Sequence, residues 1–205
     1  LEYISIKDIG KYEGQKVTIK GWLYNKRHKG KLVFLVVRDG SQMCQATIFK
    51  GNVSEEVFEA CAQKLSQESS IMVEGTVKAD ARAPLGFEID VTDVKIVQIA
   101  EEYPIQPKEH GIDFLMTKRH LWLRSSKQWA LMQVRNELLK ATRDFYYENG
   151  FMCIDAPIFT PSACEGTTNL FEVSYFEDKA YLSQSGQLYM EAAAMAFGKV
   201  YCLGP

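Results

Sequence analysis

The sequence predicts an α+β protein in which a small five-stranded β-barrel precedes a separate segment built on one long helix and short strands. Three observations carry that prediction. Apolar and polar residues alternate through residues 17–99, in runs divided by glycine-containing turns. A helical run interrupts these strands after the third, so the order is three strands, a helix and two strands. Past an acidic, proline-bearing break at 100–111, the apolar spacing lengthens to that of a helix between Ser126 and Gly150.

Taken in order, Val17 to Tyr24 alternates with Val17, Ile19 and Leu23 on one face. Leu32–Arg38 follows a turn at Gly30, and Asp39-Gly40 turns the chain into Met43–Phe49. Asn52 with Glu55 three residues later is a cap-like start for a helix reaching Leu65, with Phe58, Cys61, Ala62 and Leu65 on one face. Ser70–Val77 and Phe87–Val91 supply the last two strands, and Val94–Ile99 extends the fifth. This is the order of an OB-fold, a barrel that often binds oligonucleotides. Domain bounds follow: 1–99 for the barrel, 100–111 for a linker and 112–205 for the second domain.

In that second domain Ser126 stands where it can cap a helix in which Leu131, Val134, Leu138, Thr142 and Phe145 recur, with Gly150 just past its end. Phe151–Phe159 then reads as one short strand interrupted by Pro157, tolerable at an edge. Tyr181–Glu191 reads as a strand whose Ser185, Gln187 and Tyr189 share a face, offering donors and acceptors to a small zwitterion. Upstream, Thr160–Gly166 is a loop with a lone carboxylate, Glu165, suited to an ammonium group.

Composition narrows the function classes. A chain of 205 residues suits two domains, and 46% hydrophobic content excludes extended disorder. Cys44, Cys61, Cys153, Cys164 and Cys202 are odd in number and lack Cys-x-x-Cys spacing, so they read as reduced thiols of a cytoplasmic protein. His28, His110 and His120 have no spacing that suggests a metal site. No apolar run approaches the ~18 residues of a membrane span. Net charge is only −2, yet Lys20, Lys26, Arg27, His28, Lys29 and Lys31 crowd one hairpin.

Four segments then fall in a telling order after the barrel: Arg119-His-Leu-Trp-Leu-Arg124, Gly150-Phe151 with Pro157, Cys164-Glu-Gly166, and Ser185-Gly-Gln-Leu-Tyr-Met-Glu191. Together they resemble the aspartate/lysine/asparagine branch of the class II aminoacyl-tRNA synthetases, over residues 17–205. The resemblance implies an antiparallel-sheet catalytic domain from residue 112. It implies that Glu165, assisted by Gln187, holds the α-amino group of an amino acid, with Ser185, Met190 and Glu191 completing the site. Aspartyl relatives usually read Ser-Pro-Gln-Leu-Tyr-Lys-Gln at this place. A lysine there would pair with the β-carboxylate of aspartate. Met190 cannot, while Glu191 would accept N–H bonds from a carboxamide and repel a carboxylate. Two like charges ~4 Å apart cost about 4 kcal/mol at an effective dielectric near 20. The implied substrate is therefore asparagine.

In the barrel, the resemblance implies that Phe34 stacks on the central anticodon base, a uridine, and that Gln45 hydrogen-bonds it. Asp90 stands for an acidic residue contacting the anticodon, and Arg27 for a basic residue approaching the loop. Residues 151–159 correspond to the first class II motif, so Phe151 and Pro157 are expected at a homodimer interface. ATP and Mg2+ are implied, with their main ligands and the catalytic arginines in motifs beyond Pro205. The chain is thus expected to be an N-terminal fragment with recognition elements for asparagine and its tRNA and without catalytic residues. Thr160–Phe171 is expected to act as a lid. Competing expectations are an aspartyl enzyme of the same branch, an asparagine-making paralogue, which generally lacks the barrel, and a stand-alone OB-fold nucleic-acid-binding module.

Overall fold

The computed structural model describes residues 3–106, 108–161 and 170–204. They fall into two compact units, Leu1–His110 and Gly111–Pro205.

The first unit is a closed barrel of β1 (Lys16–Lys29), β2 (Leu32–Arg38), β3 (Met43–Phe49), β4 (Ser70–Ala79) and β5 (Phe87–Gln98), joined in the order β1-β2-β3-β5-β4. Every neighbouring pair is antiparallel except β3 with β5. The alternation that predicts these strands also fills their interior. Val33, Leu35 and Val37 of β2 are fully buried, as are Ala46 and Ile48 of β3 and Ile89 and Val91 of β5. Where β4 passes Asp90 of β5, glycine is required. A Cβ on Gly75 would stand 2.3 Å from the carbonyl oxygen of Asp90.

Two additions complete the core. Before β1, a 3-10 turn at Ile6–Tyr12 contributes Ile6 and Ile9, a contribution absent from the sequence expectations. Between β3 and β4 lie α1 (Glu55–Glu59) and a π-helical turn (Ala60–Lys64), which bury Phe58, Cys61 and Ala62, with Leu65 just beyond. The cap of α1 is Ser54, whose hydroxyl accepts the Val57 N–H at 3.2 Å, and not Asn52. Asn52 instead closes the turn after β3, its N–H donating to the Phe49 carbonyl.

The second unit contains α2 (Ile112–Thr117), α3 (Arg119–Trp122), α4 (Ser126–Glu148) and α5 (Gln187–Phe197). A parallel pair joins β6 (Met152–Cys153) to β10 (Val200–Tyr201), and a three-stranded antiparallel sheet runs β7 (Phe159–Thr160), β9 (Asp178–Leu182), β8 (Glu172–Tyr175). α4 is capped by Ser125, one residue earlier than predicted, through the Gln128 N–H. The expected strand 151–159 is two strands in different sheets. Pro157 lies between them, where its missing N–H breaks no ladder. The largest correction concerns Tyr181–Glu191. Strand geometry stops at Leu182 and helix α5 starts at Gln187, so Ser185, Gln187 and Tyr189 do not share a strand face. Leu188 through Phe197 is rich in alanine and other good helix formers, and that preference extends back to Gln187.

Candidate functional site

The barrel brings all four of its predicted residues onto one outer face, and strand register explains how. Directly opposed residues on neighbouring strands point the same way. Arg27 of β1 faces Phe34 of β2, Phe34 faces Thr47 of β3, and Thr47 faces Asp90 of β5. One residue pair along, Asn25, Val36, Gln45 and Glu88 form a second row on the same face. Phe34 is half-buried on this outer face while its neighbours Val33 and Leu35 fill the interior.

Arg27 reaches this face because β1 carries a bulge. The register shifts between Leu23 and Asn25. Leu23 is buried, so simple alternation would send Arg27 inward; the extra residue reverses the parity. Its guanidinium then lies over the Phe34 ring, 4.8 Å from the centroid. The same reversal sends Lys26 the other way. Its ammonium donates to the carbonyls of Ala62 at 3.0 Å and Leu65 at 2.7 Å, capping the end of the helical segment. Burial there pulls the Lys26 pKa below the ordinary lysine value. His28 also turns to the helix, its ring edge-on to Phe58 at 5.8 Å. The basic hairpin is therefore divided between a structural cation, Lys26, and the exposed Arg27, Lys29 and Lys31.

Two carboxylates border the aromatic platform. Asp90 is ion-paired to Lys78 and accepts from Asn52 Nδ2 at 3.4 Å. Glu88, which the sequence expectations do not name, holds Gln45 itself. Gln45 Nε2 donates to Glu88 Oε2 at 2.9 Å, and Thr47 Oγ1 donates to the same oxygen at 2.8 Å. Parity was the available signal, since buried Ile89 and Val91 leave Glu88 and Asp90 on the same outer side. On another part of the wall, Arg38 lies over exposed Trp22 and is ion-paired to buried Glu68.

The second unit gathers only part of its predicted set. A cavity of about 640 Å3 is lined by Ser183, Gln184, Ser185 and Gly186 together with Pro157 and Cys202. Gln187 and Glu191 stand one helical turn apart on α5, and Gln187 Nε2 donates to Glu191 Oε1 at 2.9 Å. Met190 is half-buried beside them. Tyr189 donates its hydroxyl to Thr160 Oγ1 at 3.4 Å. Glu165 and the centre of the expected lid, residues 162–169, lie outside the described residues. Phe151, expected at an interface, packs edge-on to Tyr146 at 5.2 Å beneath the Lys199 ammonium. Among the described residues no three His, Cys, Asp or Glu side chains converge to hold a metal ion, so no magnesium ligand is assigned. None of the described helices is long and apolar enough to cross a membrane.

Comparison with known proteins gives the two units separate matches. Residues 17–97 match the family described as OB-fold nucleic acid binding domain, and residues 111–205 match tRNA synthetases class II (D, K and N). The asparagine–tRNA ligase of Pelotomaculum thermopropionicum is 57% identical over 205 residues, covering 100% of this chain and 47% of that protein. The ligase of the same name from Roseiflexus castenholzii is 56% identical over 202 residues, covering 98% and 46%. The chain spans about half the length of the curated relatives it matches. Among solved structures, asparaginyl-tRNA synthetase from Pyrococcus horikoshii complexed with asparaginyl-adenylate superposes with a TM-score of 0.92 at 40% identity, over 100% of this chain and 48% of that one.

Proposed function

The chain belongs to the class II tRNA synthetases of the D, K and N branch, and from that membership we propose that its parent enzyme ligates asparagine to its cognate tRNA. The observation that carries the substrate assignment is the Glu191 contact. Its carboxylate accepts an N–H from a carboxamide, that of Gln187, and asparagine ends in the same group. Aspartate would bring a second carboxylate to Glu191, and Met190 supplies no cation to offset it. That repulsion, about 4 kcal/mol for charges ~4 Å apart at an effective dielectric near 20, separates two nearly isosteric substrates.

In this reading Glu165 and Gln187 hold the α-ammonium and Ser185 stands at the pocket wall. The asparagine carboxylate attacks the α-phosphorus of ATP, expelling pyrophosphate. A terminal ribose hydroxyl of the tRNA then takes the acyl group, and AMP leaves. Magnesium would supply charge neutralisation at the phosphates. This chain's residues bind and orient the amino acid while the barrel holds the anticodon loop through Arg27, Phe34, Gln45 and Asp90. The segment around Phe151 and Pro157 is proposed to join two copies, and the enzyme to work in the cytoplasm.

Pyrophosphate exchange by the complete enzyme tests the assignment. Exchange should depend on asparagine far more than on aspartate, and Met190→Lys with Glu191→Gln should shift the preference toward aspartate. Equal rates with both amino acids in the unsubstituted enzyme would rule the assignment out.

A further inference from the structure

On the same reading of the barrel as an RNA-binding face, we propose that Glu88 is a positioning residue that decides which bases Gln45 accepts. A glutamine side chain is ambiguous on its own. Its carboxamide presents an acceptor oxygen or a donor nitrogen according to a rotation of half a turn. In this barrel the rotation is set by chemistry. An ionised carboxylate only accepts, so the Gln45 nitrogen must be the atom turned toward Glu88 Oε2 at 2.9 Å. The Thr47 hydroxyl also donates to that oxygen, at 2.8 Å, and holds the carboxylate from the neighbouring position on β3. The Gln45 oxygen has no partner among the described residues and is not sealed from solvent.

The location makes this orientation matter. Phe34 faces Thr47, and Gln45 is two residues from Thr47 on the same outer face. A base stacked on Phe34 therefore brings its edge to the diagonal neighbour, Gln45, within reach of a long side chain. With the amide oxygen outward, the face favours an edge carrying an imino N–H, as uracil does at N3 and guanine at N1. Cytosine and adenine present a ring nitrogen with a lone pair at the matching atoms and meet an acceptor. The negative charge of Glu88 acts in the same sense, favouring donor edges over lone pairs. Glu88 thus acts through Gln45, without touching the base.

The test measures binding of the unsubstituted chain and of Glu88→Gln to anticodon stem–loop RNAs differing only in the central loop base, with thermal unfolding recorded beside it. The unsubstituted chain should prefer uridine over cytidine by about tenfold, the value of one hydrogen bond made or denied. In Glu88→Gln the neighbouring amide can pair with either end of Gln45, so the preference should fall several-fold while the uridine RNA still binds. Gln45→Ala should lose the preference too, and adding Glu88→Gln to it should change nothing further. If Glu88→Gln lowers the unfolding temperature, Glu88→Asp, which keeps the charge and shortens the reach, should show the same loss. An undiminished uridine preference in these Glu88 variants would overturn the positioning role alone. Failure of the unsubstituted chain to bind any of the RNAs would overturn the RNA-binding reading itself, and this role with it.

Discussion

Val33, Leu35 and Val37 in the barrel and Leu131, Val134 and Leu138 in the long helix are similar residues at equally regular spacing. The first three are wholly buried, whereas the last three are 49%, 58% and 63% exposed. Thr160 is the one buried residue among the described residues of the second unit. A periodic apolar stripe therefore predicts an element faithfully and says nothing of what covers it. The barrel supplies its own cover, because five strands closed in a ring bury one another's inner faces. A helix stripe needs a second layer, and for α4 none of the described residues provides a complete one.

Thiol chemistry should give the widest contrast between the two units. Burial pushes the Cys44 thiol up to about 12 and Cys61 up to about 11, while Cys153 and Cys202 are exposed. At pH 7 a thiol of pKa ~12 is thiolate to roughly one part in 10⁵, against a few per cent for an ordinary thiol. With Cys164 first replaced by serine, brief alkylation of the native chain should label Cys153 and Cys202 and spare the other two. Equal labelling of all four would mean that the barrel opens readily.

Next in size is a pair of truncations. Leu35→Ala should destabilise the barrel by about 2–5 kcal/mol in denaturant unfolding. Leu138→Ala should stay within roughly 0.5 kcal/mol in this chain, as for exposed positions generally, and cost more in a relative of full length if the stripe is covered there. Equal costs in this chain would dissolve the comparison.

Phe34→Ala sharpens it from another side, since a half-exposed barrel residue should matter for binding rather than for folding. Loss of one stacked base is worth ~1–3 kcal/mol in RNA affinity. The unfolding midpoint should hardly move; a large drop with unchanged RNA affinity would return Phe34 to the core.

The smallest effect concerns the tie between the N-terminal turn and the barrel. Burial raises the Asp39 pKa, but N–H donors from Ile6, Ser41 and Gln42 and the Ser41 hydroxyl more than offset it, leaving it below the ordinary carboxylate value. A depressed folded pKa contributes stability above the unfolded value of about 3.9, and that contribution is lost as pH falls through the folded value. The difference in melting temperature between the unsubstituted chain and Asp39→Asn should therefore be full near pH 6 and shrink below about pH 4. A gap independent of pH would remove the charge from the account.

These tests probe features that differed in how plainly the sequence carried them. Barrel parity was legible because a strand has a period of two, so Val33, Phe34 and Leu35 declare inside and outside at once. The bulge near Tyr24 was not, since a single extra residue leaves no compositional trace, yet it decides that Arg27 points outward and Lys26 toward the helix. At Tyr181–Glu191 alternation suited a strand for a few residues, and the alanine-rich run beyond it drew Gln187 and Glu191 into a helix instead. Their pairing became visible only at helical spacing. Glu88 could have been found by the parity that placed Phe34, but its value lies in a cross-strand contact that no local pattern encodes.

All five barrel strands lie between residues 16 and 98, and every pairing that closes the ring is made among them. The sequence therefore arranges events in time as well as in space. Leu131 of α4 lies 33 residues past the end of β5, which take about 2–7 s to add at ~5–20 residues per second. A barrel of this size closes in milliseconds to seconds. During synthesis the ring can shut before the apolar stripe of α4 emerges, so nascent Leu131, Val134 and Leu138 appear when no open strand edge of the barrel is left to capture them.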